Sequence, residues 1–275
     1  MITIENLGFS YGEMPVLKNI SMKLEEGRIY GLLGENGVGK TTLLTLLSGL
    51  KKPQTGEITV DGQKPYDRTP SLLSSQYYLC DEVAPMNMKA VDYAANYGKF
   101  WESFDMAKFE EIMTIFENDS QQKMNKMSFG QLKKTYIAFA LACNTKYLYM
   151  DEPTNGLDIP SKAQFRKAVT KYTREDSVIL ISTHQVRDLE NIIDPIIILD
   201  RQDVLLNATI QEISEKLYFD YGSEKDETAL YSELIPGSSI QVSLNQTGAE
   251  SKVHLEALFN TVHMHKALIK GIFNK

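Results

Sequence analysis

The chain has 275 residues, of which 43% are hydrophobic and 24% are charged, so it can bury a large core within one main domain. Its formal net charge of −7, with no dense run of lysine and arginine, argues against nucleic acid or an anionic membrane as a nonspecific partner. No apolar run approaches the length of a bilayer span, and the first five residues alternate like a strand instead of forming the apolar core of a signal peptide.

Up to about residue 60 the sequence predicts strands joined by tight turns, with turn signals at residues 26–27 and 61–62. Residues 28–33 form a short apolar run suited to a buried strand. After residue 42, leucines recur at the spacing of one helix face, at Leu43, Leu46, Leu47 and Leu50.

A phosphate-binding loop is predicted between that strand and that helix. Residues 34–41 fit the pattern G-x-x-x-x-G-K-[ST], which brings backbone N–H groups and the positive end of a helix to an anion. Lys40 would contact the outer phosphates, and the Thr41 hydroxyl would bind Mg²⁺. The predicted nucleotide-binding residues of this segment are Gly34, Glu35, Asn36, Gly37, Val38, Gly39, Lys40, Thr41 and Thr42.

The middle of the chain predicts further alternation of strands and helices. Residues 76–80 suggest a short strand, residues 90–126 a helical region rich in core aromatics, and residues 131–144 a helix. Two apolar strands, at residues 147–150 and 178–182, flank a helix near residues 159–171. This alternation implies a mainly parallel sheet covered on both faces. The two cysteines, Cys80 and Cys143, lie in apolar sequence without metal-ligand spacing, so we expect two core thiols.

Polar residues follow both of the apolar strands. Asp151 and Glu152 would stand at the carboxyl end of a buried strand, where Asp151 would hold Mg²⁺ through water and Glu152 would face the γ-phosphate. His184 would reach the same sheet edge. Upstream, Ser128 could cap a helix that starts near Gly130, and this donor-rich turn could bind a second phosphate. A surface acidic pair would explain neither the upstream loop nor the Pro-Thr-Asn-Gly-Leu-Asp run that follows Glu152.

Taken together in this order, these motifs resemble the ATPase subunits of ATP-binding cassette (ABC) transporters over roughly residues 1–215. Residues 34–41 match the Walker A loop, residues 147–151 Walker B, residues 127–131 the signature and residues 156–158 the D-loop. The resemblance implies an α/β fold: a P-loop NTPase core with a mainly parallel sheet flanked by helices, an antiparallel β subdomain and a helical subdomain at about residues 86–140. The ATPase domain is expected at residues 1–217 and a short α+β extension at residues 218–275.

The resemblance also implies a head-to-tail dimer of this chain with a second copy of itself or with a homologous ATPase subunit. Mg²⁺ and ATP bound by one subunit would be closed over by the signature of the other. Glu152 would polarise the attacking water and His184 would contact the γ-phosphate, as the two catalytic residues. Outside the phosphate loop, the implied nucleotide-binding residues are Tyr11, which matches the aromatic that stacks on adenine, and Ser128, Gly130, Gln131 and Asp158.

One position departs from the family pattern. The family has a glutamine that touches Mg²⁺ and the membrane partner just after the strand that precedes the helical subdomain. Here that position falls on Asp81, or on Glu82 if the alignment shifts by one residue, and we favour Asp81. The implied metal-binding residues are therefore Thr41, Asp151 and Asp81.

The aromatic helical segment and the residues at 253–259 look like those of exporter ATPases. We therefore expect a cytoplasmic subunit, peripheral on the inner face of the cell membrane, that drives export through a separate integral membrane permease and binds no nucleic acid. A soluble ABC ATPase and a weakly hydrolysing regulatory ATP-binding subunit stay open as alternatives. Beyond residue 217 the sequence predicts a charged loop at residues 222–227, short strands such as 240–244 and a last helix.

Overall fold

A six-stranded sheet forms the centre of the computed structural model, which describes residues 1–222, 229–236 and 238–273. In spatial order its strands are β5 (Gln76–Leu79), β6 (Tyr147–Asp151), β7 (Val178–Thr183), β3 (Arg28–Leu33), β8 (Ile196–Asp200) and β9 (Asp203–Ala208). The first five are parallel, and β9 is antiparallel to β8. Every residue of β6, β7 and β8 is buried, because helices or the second sheet cover both faces.

A second, antiparallel sheet lies beside the phosphate-loop helix. It has the strand order β2-β1-β4, from β1 (Ile2–Tyr11), β2 (Met14–Leu24) and β4 (Thr55–Val60). Leucines and isoleucines from this sheet share one core with the helix α1 (Lys40–Leu47) and with one face of the central sheet. Leu43, Leu46 and Leu47 lie in that core, but Leu50 lies beyond the end of α1 and is exposed.

The helical region departs from β5 and returns at β6. Its helices are α3 (Ala90–Tyr97), α4 (Met106–Ile115) and α5 (Phe129–Ala142), preceded by the short α2 (Pro70–Ser75). Aromatic rings pack around Phe139, with centroid distances of 4.9 to 5.9 Å to Tyr77, Tyr93, Trp101 and Phe104. This confirms the expected aromatic core in part, since Phe100 is 70% exposed.

The last part of the chain forms a small antiparallel sheet and two helices. After α6 (Ile159–Tyr172) and α7 (Ile210–Lys216), the sheet has the order β10-β12-β11. The strands of this sheet are β10 (Leu217–Gly222), β11 (Tyr231–Ile235) and β12 (Ser238–Leu244). The two helices that follow are α8 (Leu255–Met264) and α9 (Lys266–Phe273). The expected single last helix is thus two helices that meet at His265. Apart from Gly222, the expected charged loop at 222–227 lies outside the described residues.

Apolar side chains of this last part of the chain belong to the same core as the central sheet, so this part packs directly on the central sheet. Phe219, Val242 and Leu258 are buried in one cluster with Ile196 and Ile198 of β8. Cys143 is buried as expected, but the expectation for Cys80 is wrong: it lies just after β5 and is exposed. A residue that follows the end of a short edge strand lacks a covering neighbour on one side.

Candidate nucleotide-binding site

The loop between β3 and α1 has a backbone that requires glycine at several positions. Gly37 and Gly39 have φ angles of 84° and 111°, in the region that side chains disfavour. A Cβ on Gly34 would lie 2.5 Å from the carbonyl oxygen of Leu199. Within residues 1–222, 229–236 and 238–273, no side chain caps the N-terminus of α1 at Gly39, so the first-turn amides remain available to an anion.

Lys40 is held inside this loop by three oxygens. Its side chain is only 6% exposed, and Nζ donates to the carbonyl oxygens of Gly34 at 2.7 Å and Glu35 at 3.1 Å. Nζ also lies 3.2 Å from Oε1 of Glu152. The cation therefore stands where the phosphates of a nucleotide would meet the glycine loop, with its charge offset by an acidic side chain.

Asp151 lies at the centre of a hydroxyl cluster. Its Oδ2 accepts from Thr41 Oγ1 at 2.6 Å, and its Oδ1 accepts from Ser182 Oγ at 2.5 Å. The Tyr78 hydroxyl donates to Oδ2 at 3.4 Å, and burial together with the charge of Asp151 raises the pKa of Tyr78, which keeps it a donor. Carboxylate and hydroxyl oxygens are ligands that Mg²⁺ prefers, so this donor set fits the metal that the family implies.

Ser182 and Tyr78 were missed by the sequence analysis. Ser182 lies directly opposite Asp151 in the parallel register of β6 and β7, and Tyr78 lies on β5, the neighbour of β6 on its other side. The available signal was a polar residue near the end of an apolar strand, but which side chain it would meet depends on the register.

Glu152 and His184 contact each other at the carboxyl ends of β6 and β7. His184 Nδ1 lies 2.9 Å from Glu152 Oε2, and the backbone N–H of His184 donates to the same oxygen at 3.4 Å. Glu152 is buried and has a φ of 44°, while its own N–H donates to Ser182 Oγ at 3.0 Å. This strained backbone, held on both sides, fixes a carboxylate at the position from which it could polarise a water.

A cleft of about 350 Å³ opens over the loop. Tyr11 contributes its half-exposed ring, and its hydroxyl lies 3.4 Å from Thr42 Oγ1. The residues in the wall are Tyr11, Met14, Val16, Asn36, Gly37, Gly39, Lys40, Thr41, Thr42, Asp81 and Glu152. Gly34, Glu35 and Val38 are not among these wall residues, and a Cβ on Gly34 would lie 2.8 Å from Cγ2 of Val38.

The signature segment stands apart from this cleft. Ser128 caps α5: Gln131 N–H donates to its Oγ at 3.2 Å, and Ser128 N–H donates to Gln131 Oε1 at 2.9 Å. The helix begins at Phe129, one residue before the expected start at Gly130. Asp158 likewise caps α6, and hydrogen bonds from Ser161 lower the pKa of Asp158. Among the described residues that wall the cleft, none comes from the signature or from Asp158.

Asp81 does reach the wall of the cleft, whereas Glu82 is exposed and outside it. The carboxylate of Asp81 accepts from Lys133 Nζ at 3.1 Å and from Asn155 Nδ2 at 3.3 Å. Neither partner was foreseen. Lys133 is fully buried, although a lysine is usually exposed.

Within the described parts of the chain, none of the helices has the length and apolar character that crossing a bilayer requires. The family model described as "ABC transporter" matches residues 17–155, half of the chain. A relative described as an uncharacterized ABC transporter ATP-binding protein, from Methanocaldococcus jannaschii, is 30% identical over 80% of this chain and 82% of its own length. The lantibiotic transport ATP-binding protein SrtF of Streptococcus pyogenes is 29% identical over 70% of this chain and 84% of its own.

The solved structure of a bacterial ABC transporter cassette, described as dimeric, superimposes with a TM-score of 0.67. It shares 23% sequence identity and covers 76% of this chain and 98% of its own, so the likeness bears on the fold. The predicted fold class, a P-loop NTPase core with an antiparallel β subdomain and a helical subdomain, is confirmed. The chain belongs to the ABC transporter family, as one of its ATP-binding subunits with ATPase activity.

Proposed function

We propose that this ATPase works as one half of a head-to-tail dimer that closes over Mg²⁺ and ATP and drives export through a separate membrane-spanning partner. The observation that carries the proposal is the contact of Glu152 with both His184 and Lys40. The buried carboxylate of Glu152 thus contacts both the phosphate-binding lysine and the histidine that follows β7. Such a carboxylate is placed to accept a hydrogen bond from a water that attacks the γ-phosphate.

The residues around Asp151 supply the metal site of the proposal. Thr41 and Asp151 would hold Mg²⁺, and Asp81, in the wall of the same cleft, is the third proposed metal residue. When bound, Mg²⁺ neutralises charge that develops on the phosphates during transfer. Lys40 binds the outer phosphate oxygens, and His184 holds Glu152 in place and contacts the γ-phosphate.

The second copy is needed because the donors of the signature are not part of the described wall of the cleft. Ser128 is exposed and its hydroxyl hydrogen remains available, since Oγ acts as an acceptor in the helix cap. A symmetric dimer would bring Ser128, Gly130 and Gln131 of one copy over the phosphates held by the other, with Asp158 alongside. A subunit alone would lack these donors, each of which contributes on the order of a hundredfold to rate in comparable sites.

A groove beside the helical region is the proposed docking site of the membrane partner. It has a volume of about 520 Å³ and includes Leu50, Tyr77 and Tyr78, with the exposed Phe100 at its edge. Leu50 and Phe100 are both exposed, and exposed apolar side chains at a groove are typical of a surface that a partner covers. Because the Tyr78 hydroxyl reaches Asp151, this groove is one side chain away from the proposed metal site.

Such docking would place the chain on the inner face of the cell membrane. The direction, export, is supported by the likeness of the aromatic helical segment to exporter ATPases. Transport of a labelled cargo in vesicles that carry the partner, with ATP outside, tests the direction. An exporter would move the cargo from the outside into the vesicle lumen, whereas an importer would remove it from the lumen. Steady-state hydrolysis with and without the partner separates an active motor from a weakly hydrolysing regulatory subunit.

The role of Glu152 is tested by Glu152→Gln. We expect retained ATP binding, a loss of turnover of at least about a hundredfold and an ATP-dependent dimer in size-exclusion chromatography. Glu175→Gln, at an exposed position of the turn before β7, is the matched control and should turn over like the wild type. Wild-type turnover in Glu152→Gln would remove Glu152 from this role.

A further inference from the structure

Lys133 is a buried lysine for which the proposed mechanism has no use. It lies on α5, five residues after Ser128, and its side chain is 0% exposed. Lysine is almost never fully buried unless its ammonium is paired, because removal of a charge from water is costly. The partners of Lys133 therefore indicate why it is there.

Both contacts that the described structure gives to the ammonium come from one residue. Lys133 Nζ donates to the backbone carbonyl of Asp81 at 2.5 Å and to its Oδ1 at 3.1 Å. Asn155, three residues after Glu152, donates to both carboxylate oxygens of Asp81. Asp81 is thus held by two donors from two other segments of the chain.

Asp81 also faces the nucleotide cleft, together with Lys40, Thr41 and Glu152. An acidic side chain at that wall is unfavourable for a site that must bind a triphosphate, since like charges repel. The buried ammonium of Lys133 offsets this charge from behind the wall. The Asp81–Lys133 pair is then neutral as a whole toward the cleft, while the carboxylate keeps a fixed orientation.

We propose that Lys133 is a positioning residue of the ATP site, which neutralises and orients Asp81 so that an aspartate can stand in the wall of the triphosphate cleft. The proposal rests on the proposed function, because it takes that cleft as the ATP site. Since Lys133 is on the helix that Ser128 caps, about 7.5 Å further along its axis, the pair also ties the signature helix to the wall of the cleft.

The direction in which ATP affinity changes in variants of Lys133 and Asp81 separates this role from a purely structural one. ATP affinity is measured in the presence of EDTA, so that no metal takes part. Lys133→Met leaves Asp81 uncompensated and should weaken ATP binding roughly tenfold, as expected for one charge about 10 Å away at an effective dielectric constant near 20. Asp81→Asn leaves the ammonium uncompensated and should strengthen binding by a similar factor. The double variant Asp81→Asn with Lys133→Met should bind within about twofold of the wild type.

Lys134→Met is the matched control. Lys134 is the next residue of α5, and its ammonium donates to the carbonyl oxygen of Phe116, away from Asp81. This variant loses the same unit of charge and should bind ATP within about twofold of the wild type. The effects of the other single variants should also shrink as salt is raised, because screening weakens a charge effect.

A structural ion pair would make both single variants bind more weakly, in parallel with lower midpoints of thermal unfolding. That result, or unchanged affinity in a folded variant, overturns the proposal. If one single variant fails to fold, the direction of the change in ATP affinity of the other still distinguishes the two roles. Failure of the wild type to bind ATP would instead overturn the proposed function itself.

Discussion

Ser182 and Asp151 lie opposite each other near the ends of neighbouring parallel strands, and the Ser182 hydroxyl donates to Asp151 Oδ1 over 2.5 Å. The same hydroxyl oxygen accepts the backbone N–H of Glu152. One serine thus orients both acidic residues at the end of β6, the proposed metal ligand and the proposed base. A residue that supports a ligand in this way is expected to affect both metal affinity and turnover.

Ser182→Ala should raise the Mg²⁺ concentration that half-saturates ATP hydrolysis by about tenfold, because Asp151 loses a donor that fixes its orientation. It should also lower the free energy of unfolding by about 1–2 kcal/mol, the usual cost of an unmatched buried acceptor. Ser177→Ala, just before the same strand and also buried, is the control and should leave the Mg²⁺ dependence unchanged. An unaltered Mg²⁺ titration in Ser182→Ala would contradict this role.

The head-to-tail dimer can be tested by mixing two inactive variants. Lys40→Ala should lose its own phosphate site but keep its signature, whereas Ser128→Arg keeps the phosphate site and blocks the signature. Random pairing of the two restores one complete site in half of the dimers, so about a quarter of wild-type ATPase activity should return on mixing. Each variant alone serves as the control, and a mixture as inactive as its components would exclude sites shared between subunits.

The two cysteines should differ in reactivity by position. Burial raises the pKa of both thiols, far more for Cys143 than for the exposed Cys80. A raised pKa lowers the thiolate fraction at neutral pH, so labelling of Cys80 by iodoacetamide should be slow and should still accelerate above pH 9. Mass spectrometry should find one label on the native protein, at Cys80. Cys80→Ser should then take up none until the chain is unfolded.

The extension should contribute to the stability of the ATPase fold, because Leu258 of α8 is fully buried in the core that includes β8. Leu258→Ala should lower the free energy of urea unfolding by about 3 kcal/mol. Leu234→Ala, at an 86% exposed position of β11, is the control and should change it by less than about 0.5 kcal/mol. Two separate unfolding transitions, with only one of them shifted, would mean that the extension unfolds independently.

Parts of the site that are formed by residues adjacent in the sequence could be predicted from local patterns. The loop at residues 34–41 and the acidic pair at 151–152 were visible because one strand and one turn determine where their side chains go. The meeting of Thr41 with Asp151 followed from the rule that parallel strands end at one sheet edge.

Contacts between segments that are distant in the sequence could not be predicted from local patterns. Ser182 meets Asp151 because of strand register, and Lys133 is buried because the segment after β5 lies over one face of α5. Charge alone places a lysine on the surface, and only the tertiary partner reverses that expectation. Exposure was equally hard to foresee at Phe100 and Cys80, since an apolar residue at the end of an element is covered only if another segment reaches it.

Phe129 of the signature packs against Gly156, where an added Cβ would come within 2.4 Å of the ring. The absence of a side chain at residue 156 lets the aromatic ring rest on the backbone that leads from Glu152 to Asp158. In the proposed symmetric dimer, the signature that contacts the nucleotide of the other subunit would then be in direct contact with the segment that follows Glu152 of its own subunit. A displacement at one nucleotide would be transmitted to the other through a ring and a stretch of main chain, without any rearrangement of the central sheet.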